Sequence, residues 1–303
     1  MSTFSIIIPV KTKRDLCPEL LPAIHTQSLP PHELLIITDK ICPGNPSTKR
    51  DYGASIAQGS VLAFLDADAY PVKNWLKNAS KLLSDPKLAA VCGPNLTPPS
   101  DSLSQKTSGL VWSSFLGAGG AGLYRNKISP SRFVTDYPTS NLLVKRPDFQ
   151  KINGFNTLFW PGEDTKLCHD LVYKLGKKIL YHPDIQVFHH RRPIFLPHLL
   201  QISRFGYHRG LFAKILPKTS LKISYFIPSL FLIGLFLGPF ISPHYYFLTL
   251  GIYLLLLVFS AFIHRSVLLI PTLFLTHLVY GLYFLKGLLS PQHLSRHLTT
   301  RVN

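Results

Sequence analysis

Short uncharged runs punctuate the first two thirds of the chain, and long unbroken ones fill much of the remainder. FSIIIPV (4–10), ELLIITD (33–39), VLAFL (61–65), LAAVCG (88–93) and SNLLVKR (140–146) are apolar and of strand length, so each predicts a β-strand. Between them lie stretches with helical signals. One runs over about 15–27, with Pro18 and Pro22 near its start; a second spans Ser47 to Gln58, with Gly59 suited to close it; a third opens at Pro71, a favoured first-turn residue. DTKLCHDLVYKLG (164–176) predicts an amphipathic helix, because Leu167, Leu171 and Leu175 recur every four residues and Gly176 ends it. Residues 177–192 read as strands completing the sheet. Apolar strands alternating with helices predict an α/β fold, a mostly parallel sheet flanked by helices on both faces.

The stretch 94–138 gives no regular pattern. Its LGAGGAG (116–122) has the composition of a phosphate-binding loop but not the strand-to-helix context. It is expected to be a mobile loop over the active site or acceptor.

Beyond residue 194 the pattern changes. From Ile223 to Ile263 there is no Asp, Glu, Lys or Arg, the mark of membrane-spanning sequence. Three spans are predicted near 223–241, 245–263 and 266–285. Aromatics, leucines and bases mix over 195–217, which suits a helix lying at a membrane surface. The expected organisation is therefore a globular domain over 1–194, a basic interfacial segment over 195–222, transmembrane helices over 223–289 and a basic tail over 290–303. Lys214, Lys218 and Lys222 precede the first span and place the globular part in the cytoplasm of a multi-pass cell-membrane protein. Three crossings would then put the basic tail (Lys286, Arg296, Arg301) outside, against the same rule. Either the second or third stretch does not fully cross, or the tail breaks the rule.

Charge narrows the partners. The 32 Lys and Arg against 15 Asp and Glu leave a formal +17, suited to nucleic acid, acidic lipid or a phosphorylated substrate. The chain has no C2H2 spacing, heptad run or aromatic RNA-binding motif, so nucleic acid is set aside. Cys17, Cys42, Cys92 and Cys168 are scattered and read as packing residues of a reducing compartment. The opening MSTFSIIIPV is already strand-like, without the features of a cleaved secretion signal.

The chemistry begins at LDADAYP (65–71). Open α/β sheets bind ligands beyond the carboxyl ends of their strands. Asp66 and Asp68 sit at such an end, and residues i and i+2 of an extended chain face one way. Two neighbouring carboxylates repel unless a cation joins them, and hard oxygen donors suit Mg2+ or Mn2+, which also bind a diphosphate. Glu163 and Asp164 open the 164–176 helix, where outward-pointing N–H groups favour negative charge.

These segments resemble the glycosyltransferase family 2 enzymes with a GT-A nucleotide-sugar-binding domain. The resemblance covers about 4–192 and runs in order through SIIIPV, LLIITD, KRDYGASIAQGSVLAFLDAD and SNLLVKRPDFQKINGFNTLFWPGEDTKLC. It is similar most to membrane-attached transferases of bacterial exopolysaccharide synthesis, of the succinoglycan type. The resemblance implies that Pro9 and Asp39 line the base and ribose and that Arg50 lies near the nucleotide, with Asp51 where the family has Asn. It implies that Asp66 contacts the ribose or diphosphate, that Asp68 holds the metal, and that Asp164, beside Glu163, is the base of an inverting reaction. His189 or His190 is a candidate further metal ligand, and Arg191 and Arg192 are candidates to neutralise diphosphate. QISRF (201–205) resembles the QxxRW motif of processive polysaccharide synthases with Phe205 in place of Trp, making Gln201 and Arg204 candidate acceptor contacts. The implied partners are a nucleoside diphosphate sugar of UDP type, a lipid-linked saccharide acceptor and membrane lipids. Alternatives are a polyprenyl-phosphate glycosyltransferase, whose acceptor is already anionic and needs no base, and a non-catalytic membrane scaffold of the same fold.

Overall fold

A computed structural model describes residues 2–155 and 159–291. The predicted transmembrane boundaries therefore fall on described residues, whereas Arg296 and Arg301 of the tail lie outside them. The chain divides into two compact units. Among the described residues, one comprises those up to Leu96 together with Lys127–His190, and the other comprises Thr97–Asn126 and 191–291. The two units part at His190 and Arg191, and Thr97–Asn126 groups with the later residues.

The first unit is built on β1 (Phe4–Pro9), β2 (Glu33–Ile37), β3 (Val61–Leu65), β4 (Ala69–Pro71), β5 (Leu88–Cys92), β6 (Asn95–Leu96), β7 (Arg132–Val134), β8 (Asn141–Lys145), β9 (Lys178–Tyr181) and β10 (Val187–His189). Its helices are α1 (Leu20–His25), α2 (Pro46–Ile56), α3 (Trp75–Leu82), α6 (Arg146–Lys151) and α7 (Glu163–His169), the last continued by a π-helical turn over Asp170–Lys174. Seven strands form one sheet in the order β2-β1-β3-β8-β5-β9-β7, and β4-β10-β6 form a second. In the larger sheet β1 runs parallel to β2 and β3, and β5 to β9, while β8 is antiparallel to both neighbours and β7 to β9. The α/β sheet with flanking helices is thus present in mixed form, because the SNLLVK strand inserts backwards between two parallel groups.

Uniform apolarity of the strands follows from burial on both faces. Ile6, Ile8, Ala63 and Leu65 join one core cluster with Leu20, Ile24, Trp75 and Leu76. Phe64 points to the other face, its ring centroid 5.5 Å from Phe149 and 5.3 Å from Phe155. Each such side chain contributes about 1.5–3 kcal/mol on burial. Two local expectations change. Helix α2 ends at Ala57 in extended conformation, and Gly59 serves instead for close approach: a Cβ there would lie 2.7 Å from the Ser5 backbone nitrogen. Pro71 ends edge strand β4, where a missing N–H is tolerated, and α3 begins at Trp75.

The second unit contains α4 (Leu103–Ser113), α5 (Phe115–Arg125), α8 (Leu196–Ile215), α9 (Pro217–Ser220), α10 (Ile223–Ile241), α11 (Pro243–Ile263) and α12 (Leu269–Leu289). The expected loop over 94–138 contains two helices, α4 and α5, and the short strands β6 and β7. Ser102 and Gln105 form a reciprocal capping box that starts α4. Ser114 accepts the Gly117 N–H and caps α5, which bends at Gly119 with φ +57°. LGAGGAG is therefore helical sequence bent at Gly119, and two of its glycines serve close packing: a Cβ on Gly117 would fall 2.1 Å from the Val111 carbonyl oxygen and one on Gly122 2.6 Å from the Trp112 carbonyl oxygen, whereas Gly119 and Gly120 have nothing within 4 Å. Helices α10, α11 and α12 are each long and apolar enough to cross a membrane, at 19, 21 and 21 residues. Helix α8 buries Ile202, Gly206, Gly210, Leu211 and Phe212. It packs along α12 so closely that a Cβ on Gly210 would lie 2.0 Å from the Phe284 carbonyl oxygen.

Candidate active site

Strand β3 stops at Leu65, and Asp66, Ala67 and Asp68 form a turn into β4. Their convergence comes from this turn, closed by the Ala69 N–H on the Asp66 carbonyl at 3.2 Å, and not from the pleat of a strand. Two more main-chain bonds brace it: the Cys17 N–H on Ala67 at 2.8 Å and the His190 N–H on Asp68 at 2.9 Å.

The antiparallel register of β4 and β10 pairs Ala69 with His189. This pairing carries the His189 ring to the acidic turn, with Nε2 3.1 Å from Asp68 Oδ1. One ligand atom each from Asp66, Asp68 and His189 lies within 4.8 Å of the other two. The next residue faces elsewhere: His190 Nε2 is 3.3 Å from Glu19 Oε2 and, with Cys17, forms a separate group. Burial and Glu19 push the Cys17 thiol up to about 11, so it is protonated near neutral pH. Register therefore separates two histidines that the sequence left equivalent.

Arg50 on α2 ties the acidic turn to the GED segment. Its guanidinium donates to Asp66 Oδ1 at 2.6 Å and to Glu163 Oε1 at 2.8 Å, and its Cζ lies 5.8 Å from the Phe155 ring centroid. Burial disfavours the cation, but Asp66 and Glu163 more than restore it and hold its pKa above the usual value. Burial pushes the Glu163 carboxyl up despite Arg50, with Asp66 adding to the effect, since one guanidinium is shared between two acids. Asp164 is less buried than Glu163, and its Oδ1 accepts the Thr165 N–H at 2.7 Å in the first turn of α7.

Pro9 is buried at the end of β1. Asp39 follows β2 and forms an ion pair with Lys49, which also donates to the Gly44 carbonyl at 3.0 Å. Arg191 belongs to the second unit. Its side chain donates to Thr97 Oγ1 and Asn126 Oδ1, each at 3.1 Å, so it braces that unit. Arg192 and Arg204 are exposed, and Gln201 is half-buried on α8.

Three residues had no role assigned from the sequence. Lys49 holds Asp39. Asp51, where the family pattern has Asn, accepts the Phe155 N–H at 2.9 Å and so anchors the NGF turn before the GED segment. Asp136 accepts the Thr165 hydroxyl at 3.0 Å beside Asp164. The first two had a signal, as charged neighbours of Arg50 on one short helix; Asp136 had none, lying in an unpatterned stretch.

The fold is of the GT-A type, a mixed sheet with flanking helices followed by three apolar helices. Within it, residues 42–140 match the family model described as glycosyl transferase family 2. Two curated proteins from two strains of Mycobacterium tuberculosis, each described as pre-mycofactocin glycosyltransferase, are 24% identical over 148 residues, 48% of this chain. The chain spans 30% of the length of those relatives. A mannosyltransferase from Pyrobaculum calidifontis, solved in complex with GDP-Man and Mn2+, superposes with a TM-score of 0.60 at 16% identity, over 93% of this chain and 87% of that one.

Proposed function

We propose that the chain is a membrane-attached, metal-dependent, inverting glycosyltransferase that moves a sugar from a nucleoside diphosphate sugar to a lipid-linked saccharide at the cytoplasmic face. The observation that carries this reading is the cluster of Asp66, Asp68 and His189, joined through Arg50 to the segment bearing Asp164. The family match over the acidic turn and the structural likeness to a GDP-Man- and Mn2+-bound mannosyltransferase support it.

The donor set fits a divalent ion. Two carboxylates and one imidazole, with ligand atoms already within 4.8 Å of one another, suit Mn2+ or Mg2+. When bound, the ion supplies charge neutralisation for a departing diphosphate. Asp68, His189 and Asp66 would hold it, and Asp66, which also accepts from Arg50, would contact the ribose or diphosphate of the donor. Pro9 and Asp39, at the ends of β1 and β2, would line the base and ribose.

Asp164 then serves as general base. Its carboxylate takes the acceptor hydroxyl proton as that oxygen attacks the anomeric carbon. The bond from carbon to diphosphate oxygen breaks on the opposite face, so the configuration inverts. Glu163 acts through Arg50, holding the start of α7 against the acidic turn. Arg192, Gln201 and Arg204 remain candidates for acceptor or diphosphate contact; Arg191 is better assigned to bracing.

The test is nucleoside diphosphate release from a panel of nucleotide sugars by membranes containing the full chain. Release should require Mn2+ or Mg2+ and be lost in Asp68→Ala. Asp164→Asn should abolish transfer to a hydroxyl acceptor. Transfer largely spared in that variant would mean that the acceptor is a polyprenyl phosphate, and metal-dependent nucleotide binding without turnover would mean a scaffold.

A further inference from the structure

Membrane helices that cross in succession alternate in direction, so the first and third of three must point the same way. The contacts of α10 with α12 have the opposite sense. Phe226 stacks edge-on against Phe284 with centroids 4.8 Å apart, Ser229 Oγ donates to the Gly281 carbonyl at 3.0 Å, and Phe231 lies 6.4 Å from His277 and 6.3 Å from Phe274. Position rises along α10 as it falls along α12. Helices α10 and α11 are also antiparallel, with the Phe231 and Tyr253 rings 4.4 Å apart and Tyr246 against Gly238 nearer the tip. Tyr253 in turn bonds His277, while Leu257 and Ala261 cluster with Leu269 and Leu273. So α11 also runs against α12. Three helices cannot all be mutually antiparallel in an upright bundle. They can be if α12 lies across the base of an α10–α11 hairpin whose legs lean along it.

A second observation fixes the depth of α12. It packs parallel to α8 along most of its length: His198 Nε2 meets Thr276 Oγ1 at 3.0 Å, Gly210 abuts Phe284, Tyr207 abuts Gly287, and Lys214 donates to the Ser290 carbonyl. From Thr276 to Ser290 is about 21 Å of helix at 1.5 Å per residue. Helix α8 carries Arg204, Arg209 and Lys214. Charged side chains are costly at the bilayer centre, so α8 belongs at the interface. A helix sharing its length with α8 shares its depth. The apolar side chains that face outward are concentrated in the hairpin: Phe240 is 87% exposed, Ile241 78%, Tyr245 72% and Phe247 66%.

We infer that α12 does not cross the membrane: α8 and α12 lie together in the interface, and only the α10–α11 hairpin enters the lipid, leaving by the face it entered. The chain then exits α12 on the side from which α10 departs, so Lys222 and the basic tail satisfy the positive-inside rule together. This inference is independent of the chemistry proposed above.

The test uses the full chain in a native-like membrane with an epitope at each end, probed by antibody before and after permeabilisation. The two epitopes should behave alike. Opposite accessibility would mean an odd number of crossings and overturn the inference. A second readout guards against a tag effect. Leu282 and Leu289, two turns apart on one face and 56% and 79% exposed, are replaced singly (Leu282→Cys, Leu289→Cys), labelled with a fluorophore and quenched with lipids brominated at defined depths. An in-plane α12 places both at equal depth, whereas a crossing α12 separates them by about 10 Å and would sink the proposal.

Discussion

The two units solve opposite problems with one chain. In the sheet unit charge is gathered inward: Arg50, with its side chain 4% exposed, is held between Asp66 and Glu163, and Lys49 pairs with Asp39. In the helical unit apolar surface is turned outward, and backbones approach one another through glycines, as Gly210 does against Phe284. The first arrangement is stabilised by hydrophobic burial in water and can afford buried ions only where partners are complete. Within lipid, the apolar helices of the second would have no such driving force among them and would rely on close packing and hydrogen bonds.

This contrast can be broken most forcefully at Arg50. Arg50→Ala leaves Glu163 buried without its partner, and the expected cost is about 3–5 kcal/mol, read as a lower unfolding midpoint of the detergent-solubilised chain. A midpoint unchanged by the variant would mean that the bridge is not holding the unit. Next, Asp68→Ala should leave that midpoint nearly intact while lowering kcat about a hundred- to a thousandfold, measured as nucleoside diphosphate release with saturating Mn2+. Equal losses of stability and activity would erase the distinction between bracing and chemistry drawn here.

In the helical unit the sensitive positions are small residues. Gly210→Val should cost about 1–3 kcal/mol by overpacking, whereas Leu255→Ala, at a side chain 69% exposed, should change the midpoint little. The smallest effect concerns Asp170. Burial raises its pKa, but bonds from Lys166, His169 and Lys174 win and hold it below the ordinary 3.8. The stability it contributes is complete above that ordinary value and is lost as pH falls through the lower folded one. Asp170→Asn should flatten the acid limb of a stability-against-pH curve, leaving the curve above pH 6 parallel to that of the unsubstituted chain.

How much was readable in advance differs between these regions for physical reasons. The runs FSIIIPV, VLAFL and SNLLVK announce strands because both faces are buried and no polar position interrupts them. The GED segment announces a helix start because acids favour its first turn. The stretch 94–138 hid two helices behind glycines and serines of low propensity, and only the capping pair Ser102 and Gln105 marked the first. Pro71 was legible as a boundary but not as the end of an edge strand, because that depends on which strand pairs beside it.

Taken alone, the sequence determined β1, β2, β3, β5, β8 and the closing strands, two acids at the end of β3, a helix start at Glu163 and Asp164, and three apolar helices of spanning length. All of these depend on local composition and period. The tertiary structure decided what depends on register and sense: that His189 and not His190 meets Asp68, that Arg50 is shared by acids from two distant segments, and that α10 and α12 run in opposite directions. Pairing across a sheet and packing between helices join residues tens to hundreds of positions apart, and no local pattern encodes which of two neighbours will face which way.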